Sequence, residues 1–63
     1  MPKQTTNEAF IEYTQIGAIV RVTAVDAASG TEVSFQAPAN TPRTSLERTA
    51  INKLRYVLNK KSD

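Results

Sequence analysis

The sequence contains neither cysteine nor histidine among its 63 residues. Without cysteine there are no disulfides and no thiolate metal sites, so a chain this short has to fold by packing alone. Without histidine it lacks the usual zinc ligand and the side chain best suited to acid–base chemistry near neutral pH. We therefore expect a protein that is not an enzyme and holds no cofactor or metal.

Long apolar runs are also missing. The longest one, residues 16–20, ends at Arg21, far short of the roughly 20 residues that a membrane-spanning helix needs. The N-terminal stretch MPKQTTNEAF does not resemble a secretory signal, and two glycines in total leave no glycine-rich phosphate loop. Together with the absence of cysteine, these features predict a cytoplasmic protein with no membrane contact.

The residues that are present suffice for one thin core. Hydrophobic residues make up 40% of the chain and charged residues 22%, which is typical of a globular protein, and the length allows a single domain near the lower size limit. Charge is unevenly spread, because residues 1–42 carry two basic and four acidic side chains, whereas residues 43–63 carry six basic and two acidic ones. The C-terminal third is therefore a separate basic surface.

Three segments, residues 8–14, 18–25 and 31–37, show the alternation typical of β-strands. Glycines at positions 17 and 30 can adopt positive φ in the connections, and Asp26 can bond nearby backbone amides in a hairpin loop. The pattern predicts a three-stranded antiparallel meander. Its inward-facing residues are expected to be Ala9, Ile11 and Tyr13, then Val20, Val22 and Ala24, and finally Val33, Phe35 and Ala37.

The C-terminal segment has helical periodicity. Thr44 and Glu47 have the spacing of a capping box, so we expect a helix from Thr44 to about Asn59. We predict an α+β domain of order β-β-β-α over residues 8–60, in which one C-terminal helix packs on one face of the meander. A disordered tail at 1–7 and a frayed end at 61–63 complete the chain. The apolar residues within an arc of about 140° that faces the sheet are Leu46, Ala50, Ile51, Leu54, Val57 and Leu58.

The outward face of this helix is the first candidate for function. Basic side chains with an embedded aromatic suit nucleic acid, the cations contacting phosphates while Tyr56 and Asn52 contact sugars or bases. The alternative is an ordinary solvated helix face, with the Tyr56 ring lying along the stems of Lys53 and Lys60. The residues of this candidate nucleic-acid surface are Arg48, Asn52, Lys53, Arg55, Tyr56 and Lys60.

The face of the sheet that the helix leaves uncovered is the second candidate. It is expected to show Phe10, Ile19 and Val25 among polar side chains. If the strands bring Phe10 near Ile19 or Val25, these residues form an apolar patch suited to an unknown protein partner or to weak self-association. Scattered apolar residues on a wet face are the alternative. We expect a small non-catalytic protein-interaction or accessory domain, with nucleic-acid binding as the alternative function.

Two stretches, VTAVDAASGTEVSFQAP at 22–38 and SLERTAINKLRYVL at 45–58, resemble a family of short uncharacterised alphaproteobacterial proteins. The resemblance runs over residues 8–60 and implies a bacterial, stand-alone domain of unknown function. Three strands followed by a helix also resemble the double-stranded-RNA-binding domain without its first helix, and the three-stranded DNA-binding domains of some integrases. This second likeness is one of architecture, which does not carry function.

Overall fold

The computed structural model describes residues 8–61 of the chain. Its elements are β1 (Ala9–Ile16), β2 (Ile19–Asp26), β3 (Glu32–Pro38) and α1 (Arg43–Lys61). The strands form one antiparallel sheet in the order β1-β2-β3, and α1 packs on one of its faces. The predicted fold class is therefore confirmed. Residues 1–7 and 62–63, which include the expected disordered tail and most of the expected frayed end, lie outside the described residues.

Both hairpin connections depend on a glycine with positive φ. Gly17 has a φ of 61° in the two-residue turn between β1 and β2, and because Ala18 does not share the positive sign, the turn is of the II′ kind. Gly30 has a φ of 77° in the loop before β3. That loop is further held by Asp26, whose Oδ2 accepts hydrogen bonds from Ser29 N at 2.9 Å and Ser29 Oγ at 2.7 Å. The sequence-based roles of both glycines and of Asp26 are confirmed.

The core lies between one face of the sheet and α1. Its buried side chains come from the central strand and from the helix, and the inward residues of the two edge strands cover its sides. α1 lies over β2 and β3 and touches β1 least. The periodicity therefore predicted the inward faces of the strands correctly. On α1 four of the six predicted residues belong to the core or pack on it, whereas Ile51 and Val57 are half-buried at its margins. The buried apolar residues are Val20, Val22, Ala24, Leu46, Ala50 and Leu54.

The start of α1 differs from the prediction. The helix begins at Arg43, and the carbonyl of Pro42 accepts hydrogen bonds from Ser45 N at 3.0 Å and Leu46 N at 3.2 Å. Pro42 thus holds the capping position that we assigned to Thr44, and over residues 8–60 no hydrogen bond joins the side chains of Thr44 and Glu47 to the helix backbone. The reason is position, because Thr44 is the second residue of the helix, whereas a capping-box threonine has to precede the first one.

Candidate functional site

The uncovered face of the sheet, which we call the open face, consists of four cross-strand rows of side chains. β1 pairs with β2 so that Phe10 lies opposite Val25 and Ile16 opposite Ile19, and β2 continues each row onto β3. Successive rows are about 7 Å apart, since two residues of a strand separate them. From one end to the other the rows are Phe10–Val25–Glu32, Glu12–Thr23–Ser34, Thr14–Arg21–Gln36 and Ile16–Ile19–Pro38.

Apolar side chains occupy the two ends of the open face. Phe10 is 58% exposed at one end, and Ile16 and Ile19 are 62% and 45% exposed at the other. These are three of the four large hydrophobic side chains that are exposed within the described part of the chain, the fourth being Tyr56 on α1. The exposed apolar surface is thus concentrated on the one face that the helix does not cover.

The register decides how the predicted partner-binding residues are grouped. Phe10 and Val25 form a directly opposed pair, so of the two neighbours that the sequence left open for Phe10 the register selects Val25. Ile19, the other one, lies three rows away, about 20 Å along the strand. Ile19 instead joins Ile16 and Pro38 in a second apolar group that the sequence analysis did not include. Gly17 was the signal for it, because a two-residue turn at Gly17 necessarily places residues 16 and 19 opposite each other.

Two charges of opposite sign occupy the middle of the open face. Glu12 lies in the second row and Arg21 in the third, on adjacent strands. Both side chains are exposed, and neither forms an ion pair within the described part of the chain. Glu32 adds a second negative charge at the Phe10 end. One half of the open face is therefore acidic and the other half basic.

The six residues of the candidate nucleic-acid surface are all exposed on α1. They occupy two adjacent flanks of α1, and Asn52 lies where the two flanks meet. Arg55 lines a groove on the β1 side, while Lys53 and Tyr56 line a groove on the β3 side. Glu47 lies in the same shallow depression as Arg48 and Arg55. Nucleic-acid binding by this surface stays a prediction.

Aromatic rings hold several of the basic side chains of the domain. The Lys53 ammonium lies 5.8 Å from the centroid of the Phe35 ring, and the Lys60 ammonium lies 5.6 Å from that of Tyr56. Lys60 therefore contacts Tyr56, as expected if this is an ordinary solvated helix face. Lys53 instead turns toward the sheet. At the other end of α1 the Arg43 guanidinium stacks 3.9 Å above the Tyr13 ring, a contact of the kind that contributes about 0.5–1 kcal/mol at exposed sites.

The two grooves beside α1 contain few groups for chemistry. The groove on the β3 side has a volume of about 550 Å³ and carries one amine and one phenol, those of Lys53 and Tyr56. The groove on the β1 side, about 400 Å³, carries the Asp26 carboxylate and the Arg55 guanidinium. Neither has the pair of carboxylates that acid–base catalysis commonly uses. No group of three or more acidic side chains that could hold a metal ion occurs in residues 8–61.

Comparison with known proteins identifies a family but no characterised relative. No curated protein and no solved structure is significantly similar to the chain. Among residues 8–61 the structure itself adds that no helix combines the length and the hydrophobicity of a membrane span. The family model described as "Domain of unknown function (DUF6898)" matches residues 6–61. The chain therefore belongs to the DUF6898 family of domains of unknown function.

Proposed function

We propose that this domain is a small non-catalytic protein-interaction module, and that the open face is its binding surface. The observation that carries the proposal is the position of Phe10, Ile16 and Ile19, which are large, apolar, exposed and together on one face. Each such side chain contributes about 1.5–3 kcal/mol when it is fully buried. A protein partner that covers both ends of the open face can therefore be held by three or four side chains.

The spacing of these residues favours an interface over an ordinary wet sheet face. On an ordinary solvated face apolar side chains are scattered singly among polar ones. Here the register gathers Phe10 with Val25 at one end and Ile16 with Ile19 and Pro38 at the other. Polar and charged side chains are confined to the two middle rows, apart from Glu32 at the Phe10 end. Such a segregated surface matches a partner of similar length with apolar ends and a polar centre.

A non-catalytic role is part of the same proposal. The whole sequence lacks histidine and cysteine, which are the most frequent general base and the most reactive nucleophile of enzymes. The Ser29 hydroxyl donates to the Asp26 carboxylate and lies 2.8 Å from Thr31 Oγ1, so it stabilises the hairpin loop. These observations support binding, rather than chemistry, as the activity of the domain.

Site-specific photo-cross-linking in cells of the source organism tests the proposal. A benzophenone amino acid replaces Phe10 in one variant and Tyr56 in the other, which are aromatic positions of similar exposure, 58% and 63%. We expect discrete protein adducts from position 10 and none from position 56, because only the former lies on the open face. If the probe at position 10 gives no adduct, or if position 56 gives the same adducts, the proposal is wrong.

The origin and location of the protein are proposals of the same kind. The resemblance of residues 45–58 to short alphaproteobacterial proteins supports an alphaproteobacterial source. The cysteine-free sequence suits the reducing cytoplasm. Fractionation of the source cells should recover the chain with cytoplasmic enzymes, and recovery with envelope fractions would contradict this location.

A further inference from the structure

The order of the four rows makes the open face complementary to itself. From end to end the rows are apolar with Glu32, acidic with Glu12, basic with Arg21, and apolar with Pro38. If the order is reversed, apolar rows still meet apolar rows and the acidic row meets the basic row. A surface with this property can bind a second copy of itself, provided that the two copies run in opposite directions.

We infer that the partner of the open face is a second copy of the chain, packed face to face about a two-fold axis that crosses the strands between the Glu12 and Arg21 rows. This inference rests on the proposed function and names its partner. The two sheets would stack about 10 Å apart with their strands roughly aligned, as in a β-sandwich. An isologous contact of this kind closes at two copies.

The arrangement pairs the residues of the open face in a defined way. Phe10 of one copy packs on Ile16 of the other, and Val25 packs on Ile19. Glu12 lies across from Thr14 and beside Arg21 of the other copy, and by symmetry the same contact is made twice. Both charges in the middle of the face thus gain a partner of opposite sign, which favours this orientation over others.

The other two-fold axis that keeps the strands aligned runs along β2, and it is disfavoured by charge. It would place Arg21 directly over Arg21 of the second copy and Phe10 over Glu32. Two guanidinium groups would then face each other at the centre of the interface, where like charges are unfavourable. The distribution of charge therefore selects the axis that crosses the strands.

The size of the open face indicates how strong the contact is. Three strands spaced about 4.8 Å apart and about 25 Å long give a flat footprint of roughly 350 Å² per copy. The accessible area is larger than this flat area because side chains protrude, but three short strands still fall short of the roughly 800 Å² of accessible surface per partner in standard stable complexes. We expect a rapidly exchanging dimer with a dissociation constant in the micromolar range or weaker.

Charge-reversal variants studied by sedimentation equilibrium test the inference. The wild-type protein should show a weight-average mass that rises from monomer toward dimer between micromolar and millimolar concentration. Glu12→Arg and Arg21→Glu should each weaken association by about tenfold or more, because each places like charges at both symmetric contacts. An equimolar mixture of the two variants should associate again, since both contacts between one copy of each variant then join opposite charges.

Glu47→Arg is the matched control, because it makes the same change of charge as Glu12→Arg at an exposed position of α1 and should leave association unchanged. Circular dichroism of each variant shows whether the fold survives. A wild-type protein that stays monomeric up to millimolar concentration overturns the inference, and so does association that neither charge reversal weakens. The cross-linked adduct from position 10 separates this outcome from failure of the proposed function. An adduct of twice the chain mass supports the dimer. An adduct of another mass overturns the dimer but still supports the proposal that the open face binds a protein.

Discussion

Replacing Leu54 by alanine should remove most of the stability of the domain. Leu54 is 4% exposed and packs in a cluster in which Val22 and Ala50 are fully buried. Leucine-to-alanine changes at such sites lower the free energy of unfolding by about 2–5 kcal/mol, the larger values where a cavity remains. The free energy of unfolding of small proteins is roughly 0.05–0.15 kcal/mol per residue, so a chain of 63 residues is expected to have about 3–9 kcal/mol in total. We expect the lower part of this range for so small a core.

Urea unfolding followed by far-UV circular dichroism measures the effect. The variant should unfold at a much lower urea concentration than the wild type, or be partly unfolded without urea. Tyr56→Ala is the control on the same helix, because its ring is 63% exposed and its loss should change the free energy of unfolding by no more than about 0.5 kcal/mol. A Leu54→Ala cost below about 1 kcal/mol, or a larger cost at Tyr56, would show that α1 does not present this face to the sheet.

Three further predictions concern the hairpin loop and the helix. Gly30→Ala should destabilise the fold by about 1–2 kcal/mol in thermal unfolding, because the φ of 77°, and not the surrounding space, is the obstacle to a side chain. Gly30→Asn should cost less, because asparagine adopts positive φ more readily, and equal effects of the two changes would refute this. Asp26→Ala and Ser29→Ala should show a coupling of about 0.5–1.5 kcal/mol in a double-mutant cycle, which isolates the hydrogen bond from the Ser29 hydroxyl to the Asp26 carboxylate. Additive effects would mean that this bond contributes nothing. Arg48→Glu combined with Arg55→Glu should leave cross-linking from the open face unchanged, whereas salt-sensitive retardation of RNA that this double variant loses would support nucleic-acid binding instead.

The parts of the fold that depend on short-range pattern could be predicted from the sequence. Alternation along a strand gives the two faces directly, because successive side chains point to opposite sides. The inward face of α1 followed from the spacing of Leu46, Ala50 and Leu54 in the same way, and these are among the buried residues of the domain. Gly17 and Gly30 were correctly placed in the connections, since few other residues adopt positive φ at low cost.

The candidate site was predicted only in part, because it depends on register and on helix rotation. The sequence left open whether Phe10 lies near Val25 or near Ile19. The length of the turn at Gly17 decides this, because it pairs Ile19 with Ile16 and Val25 with Phe10. On α1 the sequence indicates which side chains face outward, but not which of them turn back onto the sheet. Packing on β2 and β3 turns Lys53 toward Phe35, and no local pattern encodes a contact between residues so far apart in the chain.

The architecture itself favours the sheet over the helix as the binding surface. A single helix is about 10 Å wide with its side chains and covers only one face of a three-stranded sheet, so the opposite face must be either solvated or bound. Outward charges on α1 need no partner, because a solvated helix is normally charged and cations near its C-terminus are favoured by the helix dipole. Exposed Phe10, Ile16 and Ile19 have no such explanation among residues 8–61. The residues that the fold leaves without a structural role are therefore on the sheet, and they are the ones on which a partner should depend.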